Sequence, residues 1–247
     1  MSAPVVVNEI YLSIQGESSW TGTPCIFIRL TGCDLRCSYC DTAYAFFEGQ
    51  RQTMDAVLSR VQELAAPFRE ARHASAGAPL PLVEITGGEP LLQRTTPALA
   101  QALCDAGYIT LIETNGARDI STLDPRVRRI VDLKTPSSGE SERMDWENIQ
   151  RLRPTDEVKF VIATQEDYQW AQRIMRDHDL SARCLVLFSW VETLHAAQRA
   201  PSLKPAPPAA DRISRQALVE RMIEDRVPAR FQLQAHKFIW NPEERGV

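Results

Sequence analysis

No stretch of the 247 residues approaches the roughly 18 consecutive apolar positions of a membrane-spanning helix, so no membrane partner is expected. The opening Met-Ser-Ala-Pro-Val-Val-Val-Asn-Glu has neither a basic n-region nor an apolar segment of signal-peptide length, and a cytoplasmic location is expected. Basic blocks are missing too. With 28 Lys and Arg against 32 Asp and Glu, the formal charge is −4, which gives no electrostatic footprint for nucleic acid and favours a small-molecule substrate. No period of roughly 20–50 residues recurs, so a solenoid is not expected. No second C-x2-C or Cys/His pair accompanies the one dense group of cysteines. A chain of this length buries roughly 70–75% of its unfolded surface and needs no disulfide staples, and a reducing compartment argues against them.

What is present is Thr31-Gly-Cys-Asp-Leu-Arg-Cys-Ser-Tyr-Cys-Asp-Thr42, with Cys33, Cys37 and Cys40 spaced C-x3-C-x2-C. Three ligands are one short of a closed site, because structural zinc and ordinary iron–sulfur carriers take four. An open position points to chemistry at the metal. Half of a zinc site with His236 recruited from afar, a redox pair, and a disulfide framework are the alternatives. Cys25, Cys104 and Cys184 are scattered singly; Cys25 and Cys184, in apolar runs, read as small core hydrophobes.

Apolar runs of strand length alternate with stretches of helical period, the pattern of six or seven βα units forming a parallel sheet or barrel. Strands are expected at Val5–Ile14, Pro24–Thr31, Leu82–Thr86, Ile109–Glu113, Arg129–Leu133, Glu157–Ala163, Cys184–Ser189 and Phe231–Trp240. Helices are expected over Thr53–Ala74, with Thr53 as N-cap, and over 95–107, 145–152, 165–179 and 214–226. Residues 33–49 read as loop. The proline-rich stretch 200–211 reads as a surface loop or insertion within a single domain spanning 1–247. In such folds the active site lies at the carboxyl ends of the strands.

At one such end stands Thr86-Gly-Gly-Glu-Pro90, where glycines let the backbone approach a ligand and Glu89 can accept from an ammonium or hydroxyl, or where the chain makes only a tight turn into a helix. A three-cysteine loop after one strand and Gly-Gly-Glu-Pro after the next resembles the radical S-adenosylmethionine (SAM) superfamily. The resemblance implies an α/β fold, a partial (β/α)6 radical SAM barrel with an open parallel sheet and flanking helices. It implies a [4Fe-4S] cluster on Cys33, Cys37 and Cys40 whose free iron binds SAM. Tyr39, Cys40 and Asp41 would meet the cofactor, as would Gly88 and Glu89 at the methionine amino group. Asn115 in Glu113-Thr-Asn-Gly116, and Asp132, Leu133 and Lys134, would reach its ribose and carboxylate; a strand-end Asn-Gly also serves as a plain turn.

Asn8-Glu-Ile-Tyr-Leu-Ser-Ile-Gln-Gly-Glu17, Gly22-Thr-Pro-Cys-Ile-Phe-Ile-Arg29, Cys40-Asp-Thr42 and Gln234-Ala-His-Lys237, in that order, resemble the 7-carboxy-7-deazaguanine synthase family over most of the chain. That resemblance implies a lyase of queuosine and 7-deazapurine biosynthesis that converts 6-carboxy-5,6,7,8-tetrahydropterin to 7-carboxy-7-deazaguanine with release of ammonia. It implies Mg²⁺ on Thr42, although that hydroxyl could instead cap the backbone. Ile14, Gln15, Gly16, Arg29, Thr86 and His236 would form the pterin pocket, with Arg29 on the substrate carboxylate. A homodimer and an electron donor such as flavodoxin are implied as partners.

Two departures bear on this carry-over. Leu187-Phe-Ser-Trp-Val191 stands where many relatives have a Gln-Pro pair on SAM, and the chain runs on past His236-Lys to Val247. An activating enzyme that makes a glycyl radical on a partner protein shares the cysteine spacing, but the Gln-Gly-Glu and His-Lys segments argue against it. A non-catalytic iron–sulfur or zinc protein is the rival from another class.

Overall fold

The computed structural model describes residues 3–70, 81–241 and 244–247. Strand β1 (Val5–Ile14) leads into β2 (Pro24–Leu30), and after the cysteine loop come β3 (Gln50–Gln52) and helix α1 (Met54–Glu70). Then follow β4 (Leu82–Gly87), α2 (Thr96–Asp105), β5 (Thr110–Thr114), β6 (Arg128–Asp132), β7 (Glu157–Ile162) and α3 (Gln165–Asp177). The last elements are α4 (Leu180–Arg183), β8 (Leu185–Trp190), α5 (Arg215–Glu224), β9 (Arg230–Gln232) and α6 (His236–Ile239).

These strands make one sheet in the order β3-β1-β2-β4-β5-β6-β7-β8-β9. From β2 to β9 every pairing is parallel, while β1 runs antiparallel to both neighbours. This is the expected open parallel sheet of a partial barrel. Buried on both faces, β4 and β7 read in sequence as near-continuous apolar runs. One face carries Ile26, Ile28, Val83, Ile85, Ile112 and Val131 into the main core with α1 and α2. The other carries a smaller cluster of Cys25, Phe27, Leu82, Leu111 and Ile130.

Thr53 caps α1 as expected, its Oγ1 accepting from Ala56 N–H at 3.2 Å; the expected last turn, 71–74, lies outside the described residues. Three expectations change. Residues 146–151 form 3₁₀ turns rather than α-helix, because the buried Asn148 side chain donates to Gly116 O and Arg118 O at 3.2 and 2.7 Å and accepts from Ile120 N–H. The loop 33–49 contains a 3₁₀ turn at Ala43–Phe46. The last strand ends at Gln232, and α6 follows, because Ala235 N–H donates to Gly16 O at 2.9 Å and turns the chain back over β1.

Candidate active site

The cysteine loop leaves β2 and is fastened on several sides. Gly32 N–H donates to Ala45 O, and Gly32 O accepts from Glu89 N–H at 2.8 Å. Ser38 donates through N–H to Ser138 O at 3.0 Å and through Oγ to Ser137 O at 2.7 Å. Ser137 in turn donates to Asp167, the buried acid of the Thr164–Asp167 capping box on α3, so helix start and loop share one carboxylate. Arg36 N–H meets Glu140 at 2.7 Å, and its guanidinium lies 4.3 Å from the Phe46 ring centroid. Each tie fixes the loop independently of any ligand.

The glycines of the β4 turn, both on the cavity wall, also serve a second close approach. Gly87 has φ +149°, and a Cβ there would meet Leu30 O at 2.2 Å, while one on Gly88 would meet Gly32 O at 2.3 Å. They let one turn press on another main chain. Glu89 points behind that wall, fully buried. Its carboxyl accepts from Leu91 N–H at 2.8 Å, Asn115 N–H at 2.7 Å and Thr114 Oγ1 at 2.9 Å.

A cavity of about 470 Å³ opens over the carboxyl ends of the strands, and Cys33, Cys37, Tyr39, Cys40, Asp41 and Thr42 line it. Also on its wall are Ile14, Gln15, Gly16, Arg29, Thr86 and His236, expected for substrate, and Gly88, Asn115, Asp132 and Lys134, expected for SAM. Glu89 and Leu133 are not on it; Leu133 is buried against Gly116. Lys159, Glu84, Tyr11, Tyr44, Trp240, Asn241 and residues 244–247 also line the wall, and none of them was expected there from sequence. The signal for two of them was available: Glu84 and Lys159 are charged residues inside apolar strands, where an unsatisfied charge is too costly to be incidental.

The wall is strongly polarised. Arg29 is clamped by Glu9 at 2.7 Å and Tyr11 Oη at 2.6 Å, and Tyr44 Oη donates to the same Glu9 oxygen at 2.8 Å. Lys159 pairs with Glu17 at 2.9 Å, with Glu113, and more distantly with Asp132 at 3.6 Å. Burial pushes the Glu17 carboxyl up, but Lys159 and His236 outweigh it and hold it at about 2. Burial pushes the Glu84 and Glu113 carboxyls up. Burial lowers His236 below its ordinary value against the pull of Glu17 and Asp41, which favours a neutral imidazole. Asp41 is paired with Lys237 at 2.7 Å, and this overcomes burial to hold its carboxyl well below the usual range.

The donor set fits an iron–sulfur cluster. Burial pushes the Cys33 thiol up to about 11 and Cys37 to about 12, so these sulfurs become thiolates only when a bound cation supplies the charge. Among the described residues no three metal-binding side chains converge on a single ion; a cubane sets each cysteine on its own iron and requires no such convergence. SAM has a match as well: Asp132 Oδ2 accepts from Lys134 at 2.7 Å while its buried Oδ1 has no partner, and the buried Tyr39 hydroxyl has none. Tyr39 also borders a second cavity of about 200 Å³ walled by Val191–Leu194, by 199–200 and by 203–207. The proline-rich stretch is the expected surface loop, largely exposed, and it also walls this cavity; Lys204 N–H donates to Arg36 O at 2.8 Å.

A model of the Radical SAM superfamily matches residues 27–176. Two relatives called 7-carboxy-7-deazaguanine synthase match along nearly the whole chain. The protein of Chlorobaculum tepidum is 40% identical over 99% of this chain and 98% of its own, and that of Koribacter versatilis 42% identical over 98% and 99%. The chain belongs to the 7-carboxy-7-deazaguanine synthase family of radical SAM enzymes. The fold agrees: the crystal structure of QueE from Escherichia coli superposes with a TM-score of 0.67 at 19% identity, covering 94% of this chain and 95% of that one. As a radical SAM enzyme of this family, the chain takes a [4Fe-4S] cluster and SAM as cofactors and acts on a small molecule. Among the described residues no helix is long and apolar enough to cross a membrane.

Proposed function

We propose that this chain converts 6-carboxy-5,6,7,8-tetrahydropterin to 7-carboxy-7-deazaguanine and ammonia, as one core domain over 1–247. The observation that carries the reading is that a single cavity joins the three-cysteine loop to Gln15, Gly16, Arg29, Thr86 and His236. When bound, the cluster and SAM would supply radical chemistry able to take hydrogen from carbon. Substrate and product differ by one molecule of ammonia, so the conversion is redox-neutral and SAM is regenerated. The protein's work is to bind, orient and exclude water.

Arg29, fixed through Nε and Nη2, offers Nη1 to the substrate carboxylate. Gln15 and adjoining main-chain groups read the pterin amide edge, and neutral His236 closes the far side over Gly16, where a Cβ would stand 2.5 Å from its Nδ1. Thr42 forms no side-chain cap, and its hydroxyl makes a long 3.9 Å hydrogen bond with Cys40 Sγ, a contact that it would exchange for a hydrated Mg²⁺ held together with the substrate carboxylate. Asp132, Lys134 and Asn115 hold the polar groups of SAM, with Gly88 offering main chain and Cys40 and Asp41 flanking the cluster. Tyr39 packs on the adenine. A homodimer, a flavodoxin-like donor and a cytoplasmic location complete the reading.

Reduced, reconstituted protein with SAM, Mg²⁺ and the carboxytetrahydropterin is expected to release one ammonia per deazapurine formed without net consumption of SAM. Cleavage of SAM with the pterin left intact would overturn the assignment.

A further inference from the structure

One buried carboxyl on the cavity wall stands between apolar neighbours in the sheet. Phe27 on β2 and Leu111 on β5, both in the cluster with Cys25, Leu82 and Ile130, are the cross-strand neighbours of Glu84 on β4. Glu84 is 1% exposed yet borders the cavity. Its side-chain partner is Gln15, whose Nε2 donates to it. Gln15 cannot be turned round, because its Oε1 accepts from Glu17 N–H at 2.7 Å.

A carboxyl in such surroundings, with one amide donor, retains capacity for further hydrogen bonds, and leaving that capacity unused is costly. The neighbouring charges are engaged elsewhere: Lys159 with Glu17 and Glu113, and Arg29 with Glu9. What fits the open face is a ligand edge with two adjacent N–H donors. The pterin has one, made by the ring N–H and the exocyclic amino group of its 2-amino-4-oxopyrimidine ring.

We propose that Glu84, steered by Gln15, takes those two N–H donors and sets the preference for an amino over an oxo group at that carbon. This deepens the pterin reading and rests on it. Burial pushes the Glu84 carboxyl up, and two facing N–H donors favour its ionised, acceptor-only form; a 2-oxo heterocycle would bring an acceptor oxygen against that form, the kind of mismatch that buried polar sites reject.

The test uses anaerobic, reconstituted holoenzyme with SAM, titrated with 6-carboxypterin and with its 2-oxo counterpart 6-carboxylumazine, each followed by its own fluorescence. Wild type is expected to prefer the pterin on the order of 100-fold. Glu84→Gln, which can both donate and accept, is expected to bring the two affinities within about tenfold of each other. Glu84→Leu guards against misfolding: it matches its apolar cross-strand neighbours, is expected to unfold no lower than wild type, and loses the preference as well. A preference retained in both variants, or a wild type that binds the two equally, overturns the role of Glu84 and leaves the pterin reading standing. A wild type that binds neither overturns the pterin reading and this proposal with it.

Discussion

At Glu89 a carboxyl accepts three hydrogen bonds and is still pushed from 4.5 to about 7 by burial. A carboxyl raised in the folded state holds its proton more tightly there. Its contribution to stability is therefore fully present below about pH 4.5 and is lost as pH rises through about 7. The difference corresponds to about 3 kcal/mol. Urea unfolding of holoenzyme at pH 4.5 and 7.5 is expected to show wild type losing about 3 kcal/mol relative to Glu89→Gln over that interval; parallel behaviour of the two proteins would contradict this. Chemistry made Cys33, Cys37 and Cys40 legible in sequence, since an open three-thiolate site has few other uses. Glu89 was legible as a motif member but not in its orientation, which is set by the ends of β5 and by the Pro90 turn.

Among the elements, the strands of the sheet could be read because burial on both faces leaves unbroken apolar runs. The stretch after Gln232 could not. Phe231 to Trp240 is apolar enough for a strand, but the decisive contacts, Ala235 to Gly16 and Lys237 to Asp41, come from segments about 200 residues earlier in the chain. The 3₁₀ run at 146–151 was hidden for a like reason, since Asn148 bonds across to the segment after β5. The β4 turn and the cysteine loop behave as one unit through Gly88. Gly88→Ala is therefore expected to displace the loop, lowering iron and sulfide per chain at least severalfold after reconstitution while far-ultraviolet circular dichroism is retained. Full cluster content in that variant would show that the loop is held by its other ties alone.

Over the whole molecule, one face of the sheet carries both a small apolar cluster and a charged belt. Lys159 is the cation that holds the carboxylates of Glu17 and Glu113 in the belt, while Asp132 is paired with Lys134 at 2.7 Å and only distantly with Lys159. Lys159→Met is expected to cost about 3–5 kcal/mol in chemical denaturation, because it strands buried negative charge, and Glu113→Gln in the same chain should recover part of that loss. A cost under about 1 kcal/mol would mean that the belt is solvated rather than paired.

The close approach at Gly87 and Gly88 has a genetic consequence. The atoms that an added methyl would strike are main-chain atoms of Leu30 and Gly32, which every amino acid carries, and, at Gly88, the Cβ of Cys33, a residue that the cluster requires. No change of side chain elsewhere can make room for it. A search for second-site suppressors of Gly87→Ala or Gly88→Ala should return revertants at the mutated codon, whereas variants of Glu84, whose surroundings are side chains, should yield compensating changes at Gln15, Phe27 or Leu111.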